Sequence, residues 1–228
     1  MLQDYLILKL QGPMQSWGTH TYEDYRPSNL FPTASGLLGL LAACLGIERR
    51  AWTRLQALDQ SIAFAVRADH VSTTGQRRLK PVKITDFHTV MEARRVDGRP
   101  NRYPVVSQRE CLCDAVFTVA IREIRQPEIT LDDFEAAVKK PYYTPFLGRR
   151  SCPLSRPLWE QRLSAVSFEQ AFERAAPGRG IVYSEWMTAH SRLRLRDVPL
   201  RGTTRQFAAR DVAMLPSAGG EEAADVSE

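Results

Sequence analysis

The sequence predicts an α+β fold: a ferredoxin-like (RRM-like) sandwich with a long basic β-hairpin thumb and a less regular C-terminal half. Three observations predict it. The chain opens with an alternating strand, Leu6, Leu8 and Leu10 on one face and Tyr5, Ile7 and Lys9 on the other. The regular segments then run strand, helix, strand, excursion, strand, helix, an order that suits this sandwich. The excursion, 70–113, loses apolar periodicity and is rich in basic residues and turns.

The elements follow in order. The first strand ends at the turn signal Gln11-Gly12-Pro13. Met14 to Phe31 has no clear period but holds Trp17, Tyr22, Tyr25 and Arg26, which reads as an irregular functional loop. Pro32-Thr33-Ala34-Ser35-Gly36 opens a helix to about Leu45, with Thr33 or Ser35 as cap and Gly46 as stop. Gly36, Gly39 and Ala43 fall at helical spacing and form a smooth face. The exposed amides at the start of this helix offer a ready anion site, and the alternative is that this segment simply packs tightly against the sheet. A second helix, about Arg49 to Leu58, turns Ala51, Leu55 and Leu58 inward. Ile62, Phe64 and Val66 mark the next strand, and Phe117, Val119 and Ile121 mark the strand after the excursion.

The excursion carries nine basic residues against four acidic ones, which leaves +5, equal to the formal net charge of the whole chain. Asp97-Gly98 inside it is a hairpin signal. It reads as a thumb that is ordered fully only with a partner. Thr130 caps a later helix with Asp132 and Asp133 in its first turn, where the helix dipole favours acids. Phe168 to Ala175 reads as a short helix, and Gly180 to Trp186 and Leu193 to Asp197 as strands. The domain division is therefore 1–69 with 114–215 as body, 70–113 as thumb, and 216–228 as an acidic tail expected to be disordered.

Composition narrows the function. A net charge of +5 suits an anionic partner. No apolar run approaches membrane-span length, so no membrane partner is expected. The first residues read as a strand containing Lys9 rather than a secretory signal. Four scattered cysteines make no disulfide framework, which points to the reducing cytoplasm. Cys111 and Cys113 share one face of a strand and read as packing residues. No histidine has zinc-ligand spacing, and no phosphate loop or Gly-x-Ser-x-Gly elbow occurs, so neither metal nor cofactor is expected.

Phe146-Leu147-Gly148-Arg149-Arg150-Ser151-Cys152-Pro153-Leu154 is the stretch with most chemical content. Gly148 permits close backbone approach. Arg149 and Arg150 supply permanently charged planar donors suited to phosphate. Tyr142 and Tyr143 stand just before it and Pro157 just after. A metal-free ribonuclease would need a general base and a phosphate-binding cation, and His88 with Arg94 or Arg109 could supply them.

Three stretches carry a resemblance: Gly12 to Gly18, Phe31 to Leu41, and Leu147 to Leu154. From about Tyr5 to Asp211 the chain resembles the CasD family. These are the subunits of type I-E CRISPR Cascade that hold the 5′ handle of the guide RNA, within the repeat-associated, RRM-like (RAMP) superfamily. Asp86 to Val90 and Arg109 to Ala115 are similar to the borders of the family's thumb hairpin. Phe87 and Cys111 stand where tyrosine is common in the family, and Ala34 where a basic residue can occur.

The resemblance implies a non-catalytic crRNA binder, since in this subtype a separate endonuclease, CasE, cuts the repeat. It implies a CasC-type backbone subunit and a CasA-type large subunit as neighbours, with target DNA met through the assembled complex. The implied RNA-binding residues are Gln15, Trp17, Arg26, Ser35, Gly36, His88, Arg94, Arg109, Tyr143, Gly148, Arg149, Arg150, Ser151 and Cys152. The equivalent subunit of a sister subtype is a nuclease, so a metal-independent repeat-specific endoribonuclease is the alternative.

Overall fold

A computed structural model describes residues 1–216 apart from 22, 74–75, 79–80, 96, 176–177 and 201–205, and the backbone alone of 71–73 and 76–78. The tail expected beyond Pro216 lies outside the described residues, as do Lys80 and the side chains of Arg77 and Arg78 in the excursion.

Strand β1 (Gln3–Gln11) is followed by four short strands, β2 (Met14–Gln15), β3 (Trp17–Gly18), β4 (Tyr25–Arg26) and β5 (Ser28–Asn29). Helices α1 (Ala34–Cys44) and α2 (Trp52–Ser61) then lead to β6 (Ile62–Asp69). The excursion contains β7 (Val71–Thr73), β8 (Gln76–Arg78), β9 (Val82–Val90) and β10 (Val105–Cys113). Next come β11 (Val116–Glu123), α3 (Leu131–Lys139), β12 (Trp159–Ala165) and α4 (Phe168–Ala175). The last three strands are β13 (Gly180–Ser184), β14 (Arg192–Leu200) and β15 (Gln206–Pro216).

One seven-stranded antiparallel sheet organises the molecule, in the order β12-β1-β11-β6-β13-β15-β14. The alternation read in β1 holds. Leu6, Leu8 and Leu10 join Phe64, Val66, Phe117, Val119 and Ile121 in a core that also takes in Leu37, Leu38 and Leu41 of α1, Leu55 and Leu58 of α2, and Phe134 and Val138 of α3. Tyr5 and Ile7 face the other way, onto Phe168 and Phe172 of α4. On that side the sheet presents Ala63, Ala65, Ala120 and Ala165, whose small side chains let the two phenylalanines sit close. Lys9, the polar member of that row, bonds Asp69 Oδ2 at 2.6 Å, and Arg67 Nε bonds Asp69 Oδ1 at 2.6 Å.

The C-terminal half is more regular than the sequence suggests. β13, β15 and β14 continue the same sheet beyond β6, and β12 closes its other edge on β1. β12 and β15 lack clean alternation in sequence, because tertiary pairing rather than local pattern defines them.

Helix α1 is capped as expected by Thr33, whose hydroxyl accepts from the Gly36 amide. The expectation of an open anion site there is corrected. Ala34 N–H donates to Asp197 Oδ2 at 2.7 Å, and Arg210 locks that carboxylate through two bonds of 2.7 and 2.9 Å. Asp197 and Arg210 are both buried. The helix therefore meets a carboxylate of its own chain, brought 163 residues along the sequence by the β14–β15 hairpin.

Candidate nucleic-acid interface

β9 and β10 pair in register from Val90↔Val105 to Val82↔Cys113. The Asp97-Gly98 turn signal is realised at the tip: Gly98 has φ +83 and Arg95 N–H bonds Arg99 O at 2.9 Å. At its base the hairpin is stitched into the body. The other edge of β10 pairs with β2 at Leu112↔Gln15 and, in parallel, with β4 at Arg109↔Arg26. Cys111 and Leu112 are buried in the main core.

Residues opposite one another in a sheet share a face. The register therefore puts Asp86 and His88 of β9, Ser107 and Arg109 of β10, and Arg26 of β4 on one face. Lys83, Gln108, Glu110 and Tyr25 lie on the reverse. There the Glu110 carboxylate accepts from Tyr25 Oη at 2.5 Å, Ser28 N at 2.8 Å and Lys83 Nζ at 2.7 Å. Burial alone would raise the Glu110 pKa, but the Lys83, Tyr25 and Ser28 bonds outweigh it and hold the carboxyl below its ordinary value. This knot fixes β4 and β9 to β10 and so fixes where Arg26 and Arg109 stand.

The Arg149 loop reaches the same face. Phe146 and Pro153 bridge its ends, and Leu147 O accepts the Ser16 amide at 3.0 Å. Gly148 has φ +85, and a Cβ there would stand 1.8 Å from Ser16 O, so only glycine allows this docking. Cys152 N–H bonds Arg149 O at 2.8 Å, which curls the loop and turns the Arg149 side chain inward. Its Nη2 donates to Arg26 O at 3.0 Å, whereas Nη1 is buried with no acceptor among the described residues. Burial, with Arg109 and Arg26 close by, lowers the Arg149 pKa, partly offset by the Cys111 and Cys152 thiols beside it. Three guanidinium groups from β4, β10 and the loop thus converge, and one donor lacks a partner. Such a donor is costly unless an acceptor arrives, and phosphate oxygens are suitable acceptors.

Arg26, Arg109, Arg149 and His88 are brought together. His88 is exposed, with Nδ1 3.6 Å from Asp86 Oδ2. Arg150, Ser151 and Gly148 lie exposed on the loop, and Arg94 sits near the hairpin tip, bridged to Pro100. Others are corrected as side-chain contacts. Gln15, Trp17 and Cys152 are fully buried. Trp17 Nε1–H donates to Gln15 Oε1, and Gln15 Nε2 donates to Leu10 O and Ala115 O, which leaves these two side chains nothing to offer a ligand. Gly36 abuts the Trp17 ring, where a Cβ would come within 2.8 Å, so this part of the smooth face is internal packing. Ser35, half-buried, lies 3.5 Å from the Thr33 hydroxyl. Tyr143 is exposed at the far end of α1, its amide bonded to Ala43 O. Sequence reasoning missed Lys83, Tyr25 and Glu110 as the supporting knot. It noted Phe87 only as a departure from the family's tyrosine and gave no weight to Met91 and Tyr103, and all three are exposed apolar side chains on the hairpin. Among the described residues no group of three His, Cys, Asp or Glu could hold a metal ion.

A family model described as CRISPR-associated protein (Cas_Cas5) matches residues 5–213. The chain is 44% identical over 213 residues to the CRISPR system Cascade subunit CasD of Escherichia coli (strain K12), covering 92% of this chain and 95% of that one. A chain of a solved CRISPR RNA-guided surveillance complex matches with TM-score 0.71 at 28% identity, over 93% of this chain and 90% of that chain. The crystal structure of a Cas protein matches with TM-score 0.64 at 27% identity, over 93% and 94% of the two chains. With its family model spanning nearly the whole chain and a 44% identical relative of equal extent, the protein belongs to the Cas5 family of CRISPR-associated proteins.

Proposed function

We propose that the chain is an RNA-binding subunit of a type I-E Cascade ribonucleoprotein that anchors the 5′ handle of the crRNA without cutting it. One observation carries this reading: the convergence of Arg26, Arg109 and Arg149 on one face of the β9–β10 hairpin, with a buried Arg149 donor awaiting an acceptor. The Cascade subunit at 44% identity supports the assembly. Backbone phosphates would take the guanidinium forks, and exposed Arg150 and Tyr143 would extend the contact.

The finer parts of the reading are proposals of the same kind. The body, 1–69 and 114–215, is taken as ferredoxin-like. Its strands β12, β1, β11 and β6 follow the fourth-first-third-second order of a βαββαβ unit, with α1 and α3 in the crossovers. Residues 70–113 serve as the thumb, whose exposed Phe87, Met91 and Tyr103 suit a CasC-type neighbour. Residues 216–228 form the acidic tail. A CasA-type subunit joins the complex, target DNA is met through the assembly, and the site of action is the cytoplasm.

A second reading, a metal-independent endoribonuclease, draws on His88 sharing its face with Arg109. Incubating the purified protein with repeat RNA and EDTA separates the two. A stable shift with intact RNA is the expected result, and cleavage that disappears in His88→Ala would replace the first reading by the second.

A further inference from the structure

The β14 edge of the large sheet carries a feature that the hairpin face does not use. Arg192, Arg194 and Arg196 alternate with Leu193 and Leu195 along the strand. Both leucines pack against the main core, which fixes the pleat and keeps the three arginines on the opposite side of the sheet. On that side their partners across β15 are Ala213, Asp211 and Ala209. Ala213 belongs to the α4-side cluster, so the row looks out on the same side as α4. Helix α4, however, packs on β12 and β11 at the far end of the sheet. The arginines therefore stand beside two alanines and Asp211, clear of α4, and all three are exposed.

Little of this charge is neutralised among the described residues. Asp211 is 3.8 Å from Arg194, and both side chains are more than half exposed, a pairing of small worth in water. Arg196 Nε donates to Phe207 O, a neutral carbonyl. Arg192 has no ion-pair partner among the described residues. Alternate residues of a strand lie about 6.6 Å apart, close to the separation of successive phosphates along a nucleic-acid strand.

We propose that this row is a second nucleic-acid site, which binds the phosphate backbone along β14 and sets no sequence preference. It goes beyond the handle-binding reading and does not depend on the hairpin face. The chemistry is shared by guide RNA and target DNA, and the test distinguishes them. The full-length chain and its triple variant Arg192→Gln, Arg194→Gln, Arg196→Gln are titrated with salt against a scrambled single-stranded RNA and a random-sequence DNA duplex. The log-affinity versus log-salt slope should fall by about 2 on the RNA, or about 2.7 on the duplex, for three lost phosphate contacts. A loss on RNA alone assigns the row to the guide, a loss on duplex alone to the target, and a loss on both to either backbone. The Lys triple variant should keep the slope, because charge rather than packing is at work. An unchanged slope on both probes in a variant with unchanged Tm overturns the proposal, as does a Lys variant that loses as much as the Gln variant. Should the triple variants fold poorly, Arg192→Gln alone, at an exposed site, should still remove about a third of the effect. Arg109→Ala is measured alongside: if it weakens RNA and the β14 variants do not, the second site falls while the handle-binding reading stands.

Discussion

Two regions of this molecule read as anion sites in sequence, and they end differently. The start of α1 offers backbone amides and a helix dipole, yet Asp197 fills it and Arg210 holds Asp197 in place. The hairpin face offers Arg26, Arg109 and Arg149, and among the described residues no buried carboxylate pairs with these guanidiniums. The lesson concerns supply rather than demand. A cluster of donors becomes a ligand site only where the fold brings no acceptor of its own. The Glu110 knot makes the same point within one hairpin: on the reverse face a largely buried carboxylate serves three donors, whereas on the front face the Asp86 carboxylate is exposed and stands beside His88.

The comparison breaks most visibly at Asp197. Asp197→Ala would leave Arg210 buried without its main partner and unfasten the first amide of α1. Removal of one member of a buried pair costs about 3–5 kcal/mol. Chemical denaturation should show that loss, while the RNA affinity of the folded protein, measured by filter binding, stays as in wild type. A large drop in RNA affinity at intact stability would mean that the helix start is a ligand site after all.

A smaller effect is expected where α1 meets Trp17. Gly36→Val puts branched bulk 2.8 Å from the indole ring and should cost roughly 1–3 kcal/mol through overpacking. Among the described residues nothing stands within 4 Å of where a Cβ on Gly39 would sit, so Gly39→Ala should be neutral or stabilise by up to about 1 kcal/mol through helix propensity. Thermal melts of the two variants should therefore move in different directions. Equal destabilisation would show that the whole glycine face is packed.

Next in size is the hairpin's own acid. Because Glu110 has a lowered folded-state pKa, its contribution to stability is present above its unfolded value of about 4.3 and lost as pH falls through the folded one. Glu110→Gln should remove this acid-limb dependence and cost about 1–2 kcal/mol near neutrality, since one carbonyl cannot serve three donors. A stability profile below pH 5 that is identical in wild type and variant would show that the knot is not a titrating support.

How much of this was readable in the sequence follows from range. β1, β6, β11, the Thr33 cap and the Thr130 cap are local patterns, and each appears where periodicity and cap chemistry put it. The Asp97-Gly98 hairpin is local too. β12 and β15 were not readable, because pairing with distant strands compensates for their mixed character. The site divides the same way. The loop chemistry of Gly148 and Arg149 was visible, but the inward turn of Arg149 depends on Arg26 O, 123 residues away. Trp17 and Gln15 carried the right motif for the wrong reason, since their side chains hold the segment that the Arg149 loop docks on.

The smallest expected effect is also the sharpest test of the hairpin face. Arg149 and Arg150 are neighbours in sequence and read alike there, yet Arg149 is turned in toward Arg26 and Arg150 stands in solvent. If phosphate satisfies the buried Nη1 donor, Arg149 binds a fixed phosphate, whereas Arg150 contributes only diffuse charge. On single-stranded RNA each lost phosphate contact lowers the log-affinity versus log-salt slope by roughly 0.7. Arg149→Ala should show that full decrement on handle and scrambled RNA alike, and Arg150→Ala clearly less. Arg149→Lys should not restore the affinity, because a point charge cannot bond Arg26 O and a phosphate together as a planar fork does. Equal decrements for the two alanine variants would place both arginines in solvent-screened contact. They would also remove the distinction between a donor the fold leaves unpaired and one it merely leaves exposed.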